Sequence, residues 1–326
     1  MINVLHKSLV IEAIPWSISL DLQKEMNDQC VDLLHNYGYT CHDEKRAVFE
    51  YYNVKKRMVT AIPRKVFRSK EFTCHVEYKQ ALKEFEERIQ KGHSLVPFMS
   101  EKIIESNYND LLKNDWNIDH FHLTRRFKST GWACRSQYQI FSYITNDVVY
   151  LIQIYPHNKK NLYATQEMVA ILHRNWPELI SKRKMDGVVR LTKTIDDNQY
   201  SLIRSKRITT FVDLGDGVVY AMLGGGYASD GSSVEAVQSS NHWHNILRRC
   251  ELIIVENVHS LMAGIEEEIC APPNRFLDIC FINVSDNHLT LFERSNKVFL
   301  TLYLKKVGMS ITNANNYVKL LEHLKN

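Results

Sequence analysis

Residues 148–155 read VVYLIQIY, with a single Gln among apolar side chains. Side chains alternate across a strand, so a run that is apolar on both parities can leave neither face in water. This segment is expected to be a strand buried on both faces. Residues 137–145 read as its partner, and Asn146-Asp147 between them is a two-residue hairpin candidate. Residues 118–125 read as a third strand.

Helical stripes flank this core. Leu22, Met26, Cys30, Leu33 and Leu34 mark one from about residue 20, ended by Asn36-Tyr37-Gly38. Leu82, Phe85 and Ile89 mark another over 78–92, with Gly92 as its stop. A helix over 100–113 follows from Ser100 as N-cap. Met168, Ile171, Leu172 and Trp176 define a helix over 165–176, ended by Pro177. Residues 7–13 read as a short strand. Residues 187–223 read as three or four strands around a Gly215-Asp216-Gly217 turn. The loop GGGYASDGSS (224–233) comes next, and six of the twelve glycines lie between 215 and 231. Ser232 or Ser233 then caps a long helix over 232–258, extending toward 268. The chain closes with strands at 276–284, 288–294 and 297–305 and a helix from about 312. The expected class is α+β: a helix-rich N-terminal region (1–115), a central antiparallel-sheet unit (116–185) and a C-terminal α+β unit (186–326). The 326 residues suit two or three domains.

A net charge of +4 is only mildly basic, but its distribution is uneven. Residues 45–70 hold nine Lys or Arg against Glu50 alone. Residues 124–135 carry Arg125, Arg126, Lys128 and Arg135 with no acid. Residues 182–193 carry Lys182, Arg183, Lys184, Arg190 and Lys193 against Asp186. Each run reads as a solvated face on its own; together they point to a phosphate-rich partner. Seven scattered cysteines without C-x-x-C fit reduced thiols in a cytoplasmic protein. The start of the chain has an acid inside its apolar stretch and does not read as a signal peptide. No apolar run suits a membrane span, so no membrane partner is expected.

The segment Asn117-Ile118-Asp119-His120-Phe121-His122-Leu123-Thr124-Arg125-Arg126 concentrates chemistry. On a strand, Ile118, His120, His122 and Thr124 share one face, while Asp119, Phe121, Leu123 and Arg125 share the other. Two histidines at i and i+2 stand about 6–7 Å apart. They could serve as general base and general acid on either side of a scissile phosphate, as histidine titrates near neutrality. They could instead share a metal ion, with His157 as third ligand, or be hydrogen-bonded structural residues. Arg135 suits the charge of a phosphoryl transition state. His157, at the end of the buried strand in Tyr155-Pro156-His157, suits a supporting role. Arg125, Arg126 and Tyr155 are candidates for holding substrate. His173 reads as a helix-surface residue and Trp176 as core. The repeated H-x-T at His122 and His288, the H-x-H at His242 and His244, and the glycine-rich loop are weaker patterns. None completes a recognised motif.

Residues 100–123, 135–144, 148–161 and 171–180 together resemble a group of bacterial proteins associated with mobile elements and phage-defence neighbourhoods. That group shows a DW-G-I-H-H-L-H-L segment, a downstream Arg, a Y-x-I-D-I-x-x-H strand end and NWPE. His120, His122, Arg135 and His157 match. Asn117 stands where Gly is usual, Asp119 where the first His is common, and Gln153 where Asp is common. No activity is established for the group, so the resemblance implies where a site lies rather than its chemistry. The expectation is a metal-independent, ribonuclease-type effector of toxin or defence kind. It uses His120, His122, Arg135 and His157 and needs no cofactor. RNA is preferred over DNA as partner, with an antitoxin-like protein partner also expected. The alternatives are a metal-dependent hydrolase and a non-catalytic nucleic-acid- or partner-binding protein.

Overall fold

The computed structural model describes residues 17–285, 287–304 and 309–313. The strand expected at 7–13 lies outside them, as does all but the start of the helix expected from about 312. The protein is α+β. Its contacts gather it into two compact units that are discontinuous in sequence. Leu34–Asp43 and Phe49–Ser239 form one; Glu44–Val48 joins the stretches up to Leu33 and from Ser240 in the other. The units therefore do not follow the three consecutive segments read from the sequence.

In chain order the elements begin with β1 (Ser17–Ser19), α1 (Leu22–Asn36), α2 (Ala47–Arg57), β2 (Lys65–Arg68) and α3 (Lys79–Gln90). The helix expected over 100–113 is not continuous. Ser100 caps only a 3-10 turn, Glu101–Ile104. A new helix, α4 (Leu111–Trp116), starts when the Asp110 carboxylate accepts from the Leu112 and Lys113 N–H groups. Between them, the buried Arg57 guanidinium donates to the carbonyls of Ile103, Glu105, Ser106 and Tyr108. With a cation as partner, these carbonyls do not depend on helical N–H groups there.

The strands β3 (Ile118–His122), β4 (Tyr138–Ile144) and β5 (Val148–Pro156) follow. Thr145 N–H donates to the Val148 carbonyl at 2.9 Å, closing the Asn146-Asp147 hairpin. Next come α5 (Glu167–Asn175), α6 (Pro177–Ile180) and α7 (Asp197–Ser205). Pro177 ends α5 and also opens α6, where its missing N–H costs nothing. The strands expected over 187–223 reduce to the two-residue pair β6 (Val212–Asp213) and β7 (Val219–Tyr220). The reason is local: Asp196 and Gln199 form a capping box that nucleates α7, and Tyr200 and Arg204 are buried on one of its faces. Helices α8 (Val234–Glu256) and α9 (Val258–Ile269) are separated at Asn257, and Ser233 Oγ accepts from Ala236 N–H at the start of α8. The last strands are β8 (Phe276–Val284), β9 (His288–Glu293), β10 (Val298–Tyr303) and β11 (Met309–Asn313). Where a helix was expected to begin, Thr312 instead pairs with Phe299 across β11 and β10.

The unit formed from the chain's outer stretches holds a sheet of order β1-β8-β9-β10-β11, with β1 parallel to β8 and the rest antiparallel. The other unit holds a sheet of order β2-β5-β4-β3, with β2 parallel to β5 and the rest antiparallel. Apolar layers cover both faces of this second sheet. Phe121, Leu123, Ile140, Val149, Leu151 and Ile154 face a cluster containing Leu82, Phe85 and Ile89 of α3. Ile118, Phe141 and Ile152 face one containing Met168, Ile171 and Leu172 of α5.

One irregularity in β5 positions the site. Phe141 pairs with Gln153, but its neighbour Ser142 pairs with Leu151, so Ile152 is an extra residue. The bulge changes which side chains point where. Leu151 and Ile154 both face the α3 side, while Ile152 and Tyr155 face the α5 side. The Gln153 side chain secures the turn. It accepts from its neighbour Ile154 N–H at 2.8 Å and from Thr73 N–H at 3.0 Å, and donates to the Glu71 carbonyl at 2.7 Å.

The glycine-rich loop is sharply turned and packs on α4. Gly224 N–H donates to the Asp115 carbonyl at 2.7 Å and Gly226 N–H to the Asn114 carbonyl at 2.9 Å. These are C-terminal carbonyls of a helix, which have no partner within it. A Cβ on Gly224 would lie 2.3 Å from the Lys113 carbonyl oxygen, so only glycine permits this approach.

Candidate active site

Strand β3 forms one edge of its sheet, and α4 delivers the chain to it. Asn117 makes the connection in the left-handed region, φ 56°. Asn and Gly tolerate that conformation best. Alternation along β3 then sends Ile118, His120 and His122 to the α5 side. His120 pairs in register with Phe141, and His122 with Gln139, which pairs in turn with Tyr155.

A polar cluster is built on this face. The His122 and His157 rings stack at 6.2 Å with planes 5° apart. His157 reaches the same face as His122 because the β5 bulge shifts the residues after it. Its backbone N–H donates to the Gln137 carbonyl at 2.7 Å. Arg135, from the exposed segment between β3 and β4, brings a guanidinium nitrogen within 3.2 Å of His157 Nε2. A guanidinium can only donate, so that nitrogen is the acceptor and Nδ1 carries the hydrogen. His120 stacks on Phe141 at 6.0 Å and meets the Tyr163 ring edge-on at 5.2 Å. The Tyr163 hydroxyl donates to Gln139 Oε1 at 2.9 Å. Asp110 places Oδ2 3.7 Å from His120 Nδ1, while its Oδ1 caps α4.

Burial first, and then the electrostatic influence of the neighbouring His120, His157 and Arg135, push the His122 imidazole down to about 4. His157 is also lowered, again by burial and next by Arg135. Both rings are thus neutral near pH 7. The Nδ1 atoms of His120 and His122 are buried and lack a hydrogen-bond partner within the protein. Burial raises the Tyr163 hydroxyl, its bond to Gln139 opposes this, and it stays protonated near neutrality. The three histidines are half-buried, whereas Arg135 and Tyr163 are exposed, so the cluster opens to solvent.

The fold therefore brings His120, His122, Arg135 and His157 together. It does not bring them together as a metal site. Among the described residues no group of three or more His, Cys, Asp or Glu is arranged to hold an ion. The geometry explains why: imidazole lone pairs lie in the ring plane, and two parallel stacked planes share no point for a common ion. Other candidates lie apart. Arg125 pairs with Glu84 at 2.8 Å. Arg126 is exposed and near Tyr78. Tyr155 packs its ring edge-on against Phe141 at 5.7 Å, with the Lys159 amine 5.6 Å from its centroid, and burial pushes its hydroxyl up to about 12. It supports the floor of the cluster. Asp119 is buried on the opposite face and pairs with Lys113 at 2.7 Å.

Three residues of the cluster escaped sequence reasoning. Asp110 was hidden inside the over-extended helix 100–113; its position one residue before an apolar run is an N-cap signal. Gln139 and Tyr163 carried no signal, since their roles come from strand register and from a 3-10 turn, Leu162–Ala164. His173 was read as a helix-surface residue, but it contacts the Tyr220 hydroxyl at 2.9 Å and Asp216 at 3.4 Å.

Comparisons with protein-family models, curated proteins and solved structures find no match to this chain. Among the described residues, no helix is long and apolar enough to cross a membrane.

Proposed function

We propose that the cluster is a metal-independent acid–base site that cleaves RNA. The observation that carries this reading is the pairing of unlike histidines on one strand face. His122 is held neutral by burial and by the nearby Arg135 cation, and His120 is set against a carboxylate, about 6–7 Å away along the strand. Such a gap accommodates a phosphodiester between a base and an acid.

In this reading neutral His122 removes the proton from a ribose 2′-hydroxyl. The 2′-oxygen forms a bond to phosphorus, and the bond from phosphorus to the 5′-oxygen breaks. His120, which faces the Asp110 carboxylate, gives its proton to that departing oxygen. The products are a 2′,3′-cyclic phosphate and a free 5′-hydroxyl. Arg135 has donors beyond the one directed at His157, and these would meet the charge on the non-bridging oxygens. His157 holds Arg135 in place. A setting in toxicity or phage defence, with a protein partner that restrains the activity, belongs to the same proposal.

The test is cleavage of a fluorescent oligoribonucleotide in excess chelator. The native protein should cleave it, and His122→Ala and His120→Ala should each lose at least about 100-fold while keeping the native circular dichroism. A folded His122→Ala protein of full activity would overturn the proposal. So would activity abolished by chelator and restored by a divalent metal, or binding of the RNA without cleavage.

A further inference from the structure

We propose that the unit bearing the histidine cluster also has a separate binding site for a phosphorylated nucleotide, in a basic groove bordered by α2 and the loop at Gly224. This site goes beyond the proposed RNA cleavage and does not depend on it.

Two cavities, of about 400 and 430 Å³, adjoin along this groove and share Lys55, Lys56 and Asn117 in their walls. None of His120, His122, Arg135 or His157 lines either cavity. Each volume is in the range that takes a small ligand.

The charge of the walls is one-sided. Lys55, Lys56, Arg64, Lys113 and Arg183 face only Asp119 and Glu235. Both carboxylates are already paired, Asp119 with Lys113 and Glu235 with Lys56. Arg64 is occupied by the carbonyls of Thr60 and Thr145. Lys55 and Arg183 have no carboxylate partner among the described residues, and both are exposed. Burial lowers the Lys56 amine, and the positive charges of Lys113 and Arg183 lower it further against the pull of Glu235. The cations are thus close enough to repel one another, and a multivalent anion between them would turn that repulsion into attraction.

Aromatic rings accompany the charge. Tyr37 and Tyr51 line the first cavity and Tyr52 the second. Tyr51 and Tyr52 meet edge-on at 5.4 Å, and Lys55 lies 5.6 Å from the centre of the Tyr52 ring. Rings beside cations suit a base and a phosphate on one molecule. A phosphomonoester carries up to two charges and several acceptor oxygens, which fits the charge excess better than a single carboxylate.

The test is isothermal titration of the full chain with AMP and ADP, with adenosine and inorganic phosphate as separate arms. AMP or ADP should bind one per chain with Kd below about 1 mM, and adenosine and phosphate at least about tenfold more weakly. The Lys55→Gln/Arg183→Gln double variant changes only exposed side chains and should keep the native circular dichroism. It should lose AMP or ADP affinity at least about tenfold. His122→Ala should bind as the native protein does, so failure of the cleavage reading leaves this one standing. Absence of nucleotide binding at millimolar concentration would overturn the proposal. Unchanged affinity in the double variant, or binding of phosphate or of an oligoribonucleotide in preference to mononucleotides, would overturn it as well.

Discussion

Arg135 donates to His157 Nε2 across 3.2 Å, joining an exposed loop residue to the end of a buried strand. The contact fixes the tautomer of His157 and contributes, after burial, to its lowered proton affinity. Removing the cation in Arg135→Ala should raise the His157 titration midpoint toward the ordinary histidine value near 6.5. His122 should move the same way, because Arg135 is also among its positive neighbours. Imidazole nitrogen shifts followed by NMR across pH 4–8 would show this. An unmoved His157 midpoint would mean that the two side chains do not meet in solution.

His122 couples the site to stability. Its imidazole is pushed down to about 4 in the folded protein, whereas an unfolded chain restores a value near 6.5. Between those values the unfolded state binds more protons, so stability rises with pH there. The contribution is complete above about pH 6.5, is lost as pH falls toward 4, and is level below that. His122→Asn cannot take up the proton. The native protein should therefore lose more melting temperature than His122→Asn between pH 7 and pH 5. Parallel melting curves for the two proteins would contradict the shift.

Lys113 and Asp119 form a buried ion pair, at 2.7 Å. Asp119→Asn would leave the lysine without its charge partner in the interior. A loss of about 3–5 kcal/mol in urea unfolding is expected, as for other buried pairs broken on one side. The double replacement Lys113→Met/Asp119→Leu should recover part of it, since neither charge then remains. A single-variant loss below about 0.5 kcal/mol would show that water reaches the pair.

The hairpin of β4 and β5 and the helix α3 were legible because each rests on a periodicity written in consecutive residues: VVYLIQIY for the strand, and Leu82, Phe85 and Ile89 for the helix. The shared face of His120 and His122 was legible for the same reason, and so was the separation of Asp119 from them. Elements decided by capping were harder. Asp110 and Asp196 each start a helix where apolar residues alone suggested something else. The carboxylate beside His120 was missed as a result. The glycine-rich loop read as a turn leading into a capped helix, and its packing, with the Gly224 and Gly226 amides taken by carbonyls of α4, was not foreseen. Such long-range pairing leaves no trace in local composition. The discontinuous units are likewise a product of contacts between distant stretches.

The extra residue at Ile152 has a consequence for how the site could be lost. Side-chain direction along β5 after that point depends on whether the count is odd or even. Were all the residues of β5 to run on in regular alternation without the bulge, Tyr155 and His157 would turn toward α3 and His122 would lose its stacked neighbour. Every polar residue of the cluster would still be present in the chain. The site is thus encoded in a parity as well as in residue identities, and a chain with identical histidines that kept this extra residue but not the bulge would not share it.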